Sequence, residues 1–554
     1  MTNIHEKQEA IPDIESVPQS SDGQPSLHSG FNPEITENIV VHLTGWRLHL
    51  TTLCVLVSLL LINVEVTIVS TSLVAITNEL HGFSKTSWIV TGYLVTYMGF
   101  MIFWSKLSDI IGRKSALIST MTIFTAFSGG CGGAKTLNQL IIGRTFQGIG
   151  GAGAYSLATL MTYEMVPKEK MPLYGTFNSA TVALATLLGP LLGGAINDRT
   201  TWRWVFYLNL PLGAIVVALL FIALPAEFPY GTSSAPRKSA MEKLKNFKRI
   251  DITGGLFLLA GSLLLSTVLL DTSVRHGWAS ALTISLLVLG IVSWIAFFAW
   301  EWLVSRSKMK QEPMFPWHWM HNRPWIGMLI SNFLAGMPFN VVVVFLPQRF
   351  QTVSGTSPLT AGIRLLPYTF GAAIGAALAM VASSKRRVAV VYILLVGATL
   401  QVIGITLLST LPNTQEFPAK AYGFETIAGV GMGVSFGMLV LATGFVMQGP
   451  DLASAAGAII QFRFLGGVIG LAIATNVMNE HLKSDLGHIL PSAAVSSLLE
   501  SVAFLDKLSP GMKAPVIKVF ANAYNLQNKI MIAFAAAQFP AAAMIWNKKW
   551  SKIG

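Results

Sequence analysis

The chain reads as a succession of long apolar runs separated by short polar breaks. Runs of about 20 residues match what a helix needs to cross a hydrocarbon core of about 30 Å. Barrel strands need only about 10 residues, so runs of this length predict helices, which satisfy every backbone group internally. Fourteen spans are predicted, near 49–70, 87–105, 115–133, 138–161, 174–196, 204–224, 252–270, 280–303, 326–347, 358–382, 388–410, 421–447, 453–478 and 529–547. The expected fold is an all-α polytopic membrane bundle. An even number of spans puts both termini on one side.

Composition agrees: 52% of residues are hydrophobic and 12% charged, against about 25% charged in soluble proteins. The net charge of +12 would suit nucleic acid, but the basic residues fall in alternating loops. Lys106, Arg113 and Lys114, then Lys168 and Lys170, then Arg237, Lys238 and Lys243 lie on one side, continued by Lys385, Arg386 and Arg387. That is the imprint of topology, and the positive-inside rule makes that side, and both termini, cytoplasmic. Cys54 and Cys131 fall inside predicted spans and read as apolar packing. The segment 1–48 is polar over nearly all its length and is expected to be a disordered cytoplasmic tail.

The chemistry concentrates in a few polar positions. The stretch Ser105-Lys106-Leu107-Ser108-Asp109-Ile110-Ile111-Gly112-Arg113-Lys114 is a charged hairpin between two apolar runs. Within the first span stands Glu65, and Ser58, Ile62, Glu65, Val69 and Ser72 share one helical face. In the fourth, Arg144, Gln147, Gly148 and Gly151 share another. A charge inside a membrane is costly, so each should face the bundle interior and be paired. The bland alternatives are an Arg144 bonded to backbone carbonyls and a Glu65 satisfied at a helix contact. In the fifth span, Gly189, Pro190, Gly193 and Gly194 combine a Pro kink with small-xxx-small spacing, which lets helices touch closely.

The hairpin resembles the signature G-x-L-x-D-x-x-G-R-K of the major facilitator superfamily, with Ser105 where Gly is usual. Arg144 to Gly148 resembles the family's R-x-x-Q-G motif. Gly189 to Gly194 resembles the G-P-x-x-G-G motif of its drug/proton antiporters, and the surroundings of Glu65 resemble the L-D-x-T-I-V motif of the fourteen-span members, with Glu for Asp. The segments 202–213 and 345–367 are similar to further stretches of that group, and the long loop with Tyr524 to fungal members.

The resemblance implies a major facilitator fold of six, two and six helices. Its parts would be a first half at 49–224, a cytoplasmic linker at 225–251, two inserted helices at 252–303 and a cytoplasmic loop at 304–325. A second half at 326–547 would carry a long outer loop at 479–528, with a cytoplasmic tail at 548–554. Glu65, Arg144 and Gln147 would couple protons to substrate, and Asp109, Gly112, Arg113 and Lys114 would form a gating loop. Arg364 and Arg463 are possible cavity charges. The implied activity is proton-coupled export of amphiphilic drugs, toxins or secondary metabolites across the plasma membrane. An uptake or vacuolar carrier for siderophores or basic amino acids is the alternative.

Enzyme readings find no catalytic cluster. His318 and His321 lack the third ligand a catalytic zinc needs. No G-x-x-x-x-G-K-[ST] phosphate loop occurs, so no internal ATP motor, metal or cofactor is expected. The expected partners are the bilayer, protons and a small amphiphile.

Overall fold

The computed structural model describes residues 43–167, 170–225, 228, 251–271, 279–307, 311, 313–384, 388–447 and 451–546. The expected tail up to residue 42, most of the linker 225–251, Lys168, the basic residues 385–387 and the tail 548–554 lie outside them. Every regular element among the described residues is helical.

The first group comprises α1 (Gly45–Ile68), α2 (Leu73–Leu80), α3 (Thr86–Ile111), α4 (Arg113–Gly132), α5 (Leu137–Glu164), α6 (Met171–Arg199), α7 (Arg203–Tyr207) and α8 (Asn209–Ala223). A pair follows, α9 (Ile252–Asp271) and α10 (Ala281–Arg306). The second group comprises α11 (Arg323–Thr352), α12 (Pro358–Ser384), α13 (Val390–Leu408), α14 (Lys420–Val446), α15 (Asp451–Gly487), α16 (Ser492–Glu500), α17 (Pro510–Ala536) and α18 (Gln538–Met544).

The two groups repeat one packing scheme. In the first, α1 packs on α6, and α5 on both α3 and α4; in the second, α11 packs on α15, and α14 on both α12 and α13. The cross-contacts are reciprocal too: α6 meets α12, and α3 meets α15. Helices α9 and α10 pack on each other, and α9 also lies against α3 and α15. Large side chains such as Leu256, Leu289, Ile295 and Phe370 stand exposed where a water-soluble fold would be polar.

Eleven of the described helical segments are long and apolar enough to cross a membrane, against fourteen predicted spans. Helix α4 is rich in Ser, Thr and Gly, α5 carries Arg144 and Gln147, and α17 carries Lys513 and Lys518. Those polar and small residues lower their hydropathy without preventing a helix.

Two expectations need correction. The charged hairpin is barely a loop: Asp109 is still on α3, Arg113 opens α4, and only Gly112 interrupts them, at φ +94°. A side chain there would be strained, so glycine permits the abrupt reversal. The segment 479–528, expected as a loop, is mostly helical. Helix α15 runs on to Gly487, α16 follows, and the helix leading into the last predicted span, α17, begins at Pro510 rather than near 529. Pro510 at its first turn and apolar Val516, Ile517 and Phe520 on its buried face make an amphipathic helix that a hydropathy window passes over.

Bonds between the two groups cluster at the end opposite Gly112. The Gly82 amide donates to Glu500 O at 2.7 Å, Ser501 to Asn78 Oδ1 at 2.8 Å, Asn479 to Ser84 O at 3.0 Å and Gln351 to Thr71 O at 3.1 Å. That end is closed in this conformation.

Candidate functional site

Glu65 of α1 and Arg144 of α5 form an ion pair in which each side chain is only 1% exposed. The other Glu65 oxygen accepts from Asn209 Nδ2 at 2.6 Å. Arg144 also donates to Gln147 Oε1 at 2.8 Å and to Ile89 O at 3.2 Å. Gln147 in turn donates to Ser128 Oγ at 2.7 Å. The guanidinium lies 4.3 Å from the ring centre of Tyr93 and 5.7 Å from that of Phe206, both within cation–π range. Helices α1, α3, α4, α5, α7 and α8 thus all converge on one polar knot in an apolar bundle.

The backbone makes this convergence possible. A Cβ on Gly148 would run into the Tyr93 carbonyl of α3, and one on Gly150 into Phe124 of α4. Arg144 thus binds both a backbone carbonyl and a carboxylate. Chemically the knot is a buried pair of which one member can change charge. Arginine keeps its proton in proteins, whereas a carboxylate can accept one.

The charged hairpin forms a second knot. Arg113 donates from Nη2 to Glu164 Oε1 at 2.8 Å and from Nε to Oε2 at 3.0 Å, and pairs with Asp109 at 2.6 Å. Lys114 Nζ donates to the carbonyls of Phe221 and Leu224 at 2.8 and 2.6 Å, capping the end of α8 where a cation suits the helix dipole. Lys106 reaches Pro313 O at 2.9 Å. Glu164→Gln removes a charged acceptor of a bidentate fork. We expect it to lower stability by about 1–2 kcal/mol, measured as a reduced Tm of the purified protein.

Gly189, Pro190, Gly193 and Gly194 of α6 form a two-sided seam. Gly189 and Gly193 lie against Thr67 and Thr71, so α6 meets α1 and the turn after it. Gly194 lies against Leu359, and the Pro190 carbonyl against Gly362, so the same stretch touches α12 of the other group.

Arg364 and Arg463 lie apart from the Glu65 knot. Arg364 sits 4.0 Å from the ring centre of Phe417. Arg463 lies between Phe436 and Phe464, 4.8 and 4.9 Å from their ring centres. Phe464 meets Tyr97 edge-on at 4.9 Å, and Tyr97 stacks on Tyr93 at 5.5 Å. An aromatic path thus links the Arg144 knot to Arg463 across the two groups.

Sequence reasoning had not singled out Asn209, Ser128, Tyr93 or Glu164. Asn209 carried a signal, an amide in an apolar span. Ser128 carried none, because Ser and Thr hydroxyls inside helices ordinarily bond their own backbone, and Tyr93 takes part through its ring, as one aromatic among many in the spans.

Comparison with known proteins gives a consistent picture. Residues 53–315 match the family model described as Major Facilitator Superfamily. The MFS-type transporter FPY5 of Fusarium mangiferae is 42% identical over 520 residues, covering 94% of this chain and 87% of that protein. The efflux pump FUS6 of Gibberella moniliformis is 30% identical over 534 residues, covering 93% and 89%. Among solved structures, a bacterial homolog of the human lysosomal transporter Spinster, inward-facing and unoccupied, superimposes with a TM-score of 0.61. It shares 14% identity and covers 91% of this chain and 100% of that one. A D-xylose–proton symporter superimposes at 0.53, with 15% identity, over 84% and 99%.

Proposed function

Because the chain belongs to the Major Facilitator Superfamily, whose multi-pass members carry small molecules across membranes, we propose that it exports amphiphilic compounds in exchange for protons. The observation that carries the coupling is the Glu65–Arg144 pair, buried at 1% exposure with Asn209 and Gln147 completing its bonds. A proton arriving at Glu65 cancels the charge that holds Arg144 and leaves the guanidinium to its carbonyl, amide and aromatic neighbours. Arg144 can then move against Tyr93, the first ring of the aromatic path to the other half. Substrate occupies the space beside that path, near the midplane between the halves.

The fold in this reading has fourteen spans, six on each side of an inserted pair, with both termini in the cytoplasm. The repeated packing scheme and the basic residues around Gly112 support it. The bonded end opposite Gly112 is then the outer one, and this conformation opens inward. Asp109, Arg113, Lys114 and Glu164 form the inner gate, and the Gly189–Gly194 seam is the sliding contact between halves. Export rather than uptake is supported by the relatives named as efflux pumps and by the resemblance of the Gly-Pro stretch to that of antiporters. The plasma membrane is the site of action in this reading.

The test is accumulation of a panel of hydrophobic cations and neutral amphiphiles in cells lacking their own pumps. We expect several compounds to accumulate less in cells making the protein, and a protonophore to erase the difference. Raised accumulation, with the protein at the surface, would overturn export. A difference that survives the protonophore would overturn the coupling.

A further inference from the structure

Four carboxylates are buried among the described residues, and in three of them at least one oxygen accepts a hydrogen bond. Glu65 bonds as described. Asp251 accepts on Oδ1 from the Gly254 amide at 2.8 Å and from Trp300 Nε1 at 2.7 Å, while its Oδ2 has no partner among the described residues. Glu301 accepts from the amides of Met314 and Phe315 at 3.2 and 3.1 Å. The fourth, Glu425, is 0% exposed, and neither of its oxygens has a hydrogen-bond partner among the described residues.

Glu425 lies one turn and a half into α14, at the end of the bundle away from Gly112. Helices α12 and α14 run side by side in parallel register, Tyr368 against Gly429 and Ala372 against Gly433, so Arg364 of α12 stands level with Glu425. Arg364 is itself incomplete: its Nη1 is buried without a partner, and its guanidinium rests on Phe417 instead of on the acid. The other helices packed on α14 offer no competitor. Helix α13 carries no Asp, Glu, Lys, Arg or His. Arg349 of α11 is committed to Ala521 O, Asn525 Oδ1 and Pro412 O. Arg463 of α15 is held between Phe436 and Phe464. Tyr368 of α12 is a neutral phenol, and Lys420 lies at the start of α14 itself. Phe417 also lines a cleft with Arg349, Phe350, Val353, Pro412 and Glu416. The Phe417 ring thus stands between this cleft and Arg364.

An ionised carboxylate without partners in an apolar bundle is costly, whereas a carboxylic acid costs far less. A nearby guanidinium left unbonded is the partner such an acid acquires when it ionises. We propose that Glu425 is a second proton-exchange site, reached from the end opposite Gly112, with Arg364 as the cation that receives its carboxylate. The O–H bond of the Glu425 carboxyl breaks, the proton passes to water in the cleft, and the carboxylate swings onto Arg364, which stays protonated throughout. The inference rests on burial and missing partners, not on the export reading.

Infrared difference spectroscopy of the purified full-length protein in lipid, between acid and alkaline pH, tests it without any substrate. The expected result is a carbonyl-stretch band of a buried carboxylic acid that is present at acid pH and lost at alkaline pH. Glu425→Gln abolishes that band, Glu425→Asp keeps it at a shifted position, and Glu65→Gln leaves it intact. In Arg364→Gln the band persists at alkaline pH, because the receiving cation is gone. An unchanged band in Glu425→Gln would overturn the site, as would its absence from the wild type. Loss at alkaline pH in Arg364→Gln as in the wild type would overturn the role of Arg364. Failure of export in the cell assay leaves every one of these outcomes readable.

Discussion

Glu65→Gln is expected to abolish protonophore-sensitive export while the protein still folds and reaches the membrane. The substitution keeps the shape of the side chain and its acceptor towards Arg144, and Asn209 can turn its amide to present an oxygen to the new NH2 group. What disappears is the capacity to gain and lose a proton. In the proposed cycle Glu65→Gln is the proton-bound state made permanent, a state the wild type must itself visit. Folding should therefore survive, because Arg144 retains Ile89 O, Gln147 Oε1 and the Tyr93 and Phe206 rings. The measurement is drug accumulation in pump-deficient cells, normalised to surface protein, for wild type, Glu65→Gln and empty vector. Accumulation at the empty-vector level is expected. Export that stays wild-type in rate and in protonophore sensitivity would remove Glu65 from the coupling.

The wild-type and variant proteins also separate coupling from binding. A compound that still binds Glu65→Gln but is not moved against its gradient identifies the residue as the coupling group. Loss of both binding and transport would make the carboxylate a direct substrate ligand.

Much of this arrangement was legible from the residues because charge in an apolar run is expensive and has few explanations. Glu65 and Arg144 stood out alone in their spans, 79 positions apart, and the need for partners made them candidates for each other. The pairing of Arg113 with Glu164 was less accessible. Glu164 sits at the end of α5, where an acid beside water needs no buried partner. Glu425 was missed for a related reason. It lies close to Lys420, so the sequence alone allows it to be a loop-edge acid in water. Only the packing of α12 and α13 around α14 shows it to be enclosed. The last helix was misplaced because a hydropathy window averages over the side chains of both faces. Pro510 to Ala536 buries Val516, Ile517 and Phe520 but also the polar Asn525, Gln527 and Asn528, and it exposes Lys518 and Lys529.

Arg144→Leu is expected to be the more damaging change to the same pair, and its damage should be partly reversible in a way that Glu65→Gln is not. Removing the guanidinium takes the charged donor from Glu65 Oε1 and Gln147 Oε1, while the Ile89 carbonyl keeps its bond within α3. Breaking a buried ion pair from one side costs about 3–5 kcal/mol, mostly because the remaining charge has no counterpart. Such a loss is a large part of a typical folding free energy, so low yield and a strongly reduced Tm in detergent are expected. Adding Glu65→Gln to Arg144→Leu removes the stranded charge. The double variant should therefore recover a substantial part of the lost Tm while remaining transport-dead. A thermodynamic cycle over the four proteins measures the coupling between the two side chains directly. Strong non-additivity is the expected outcome, because the two groups are in direct contact as an ion pair. Additive losses would mean that each residue is held by its surroundings independently, and the pair could then not act as the switch through which a proton at Glu65 moves Arg144.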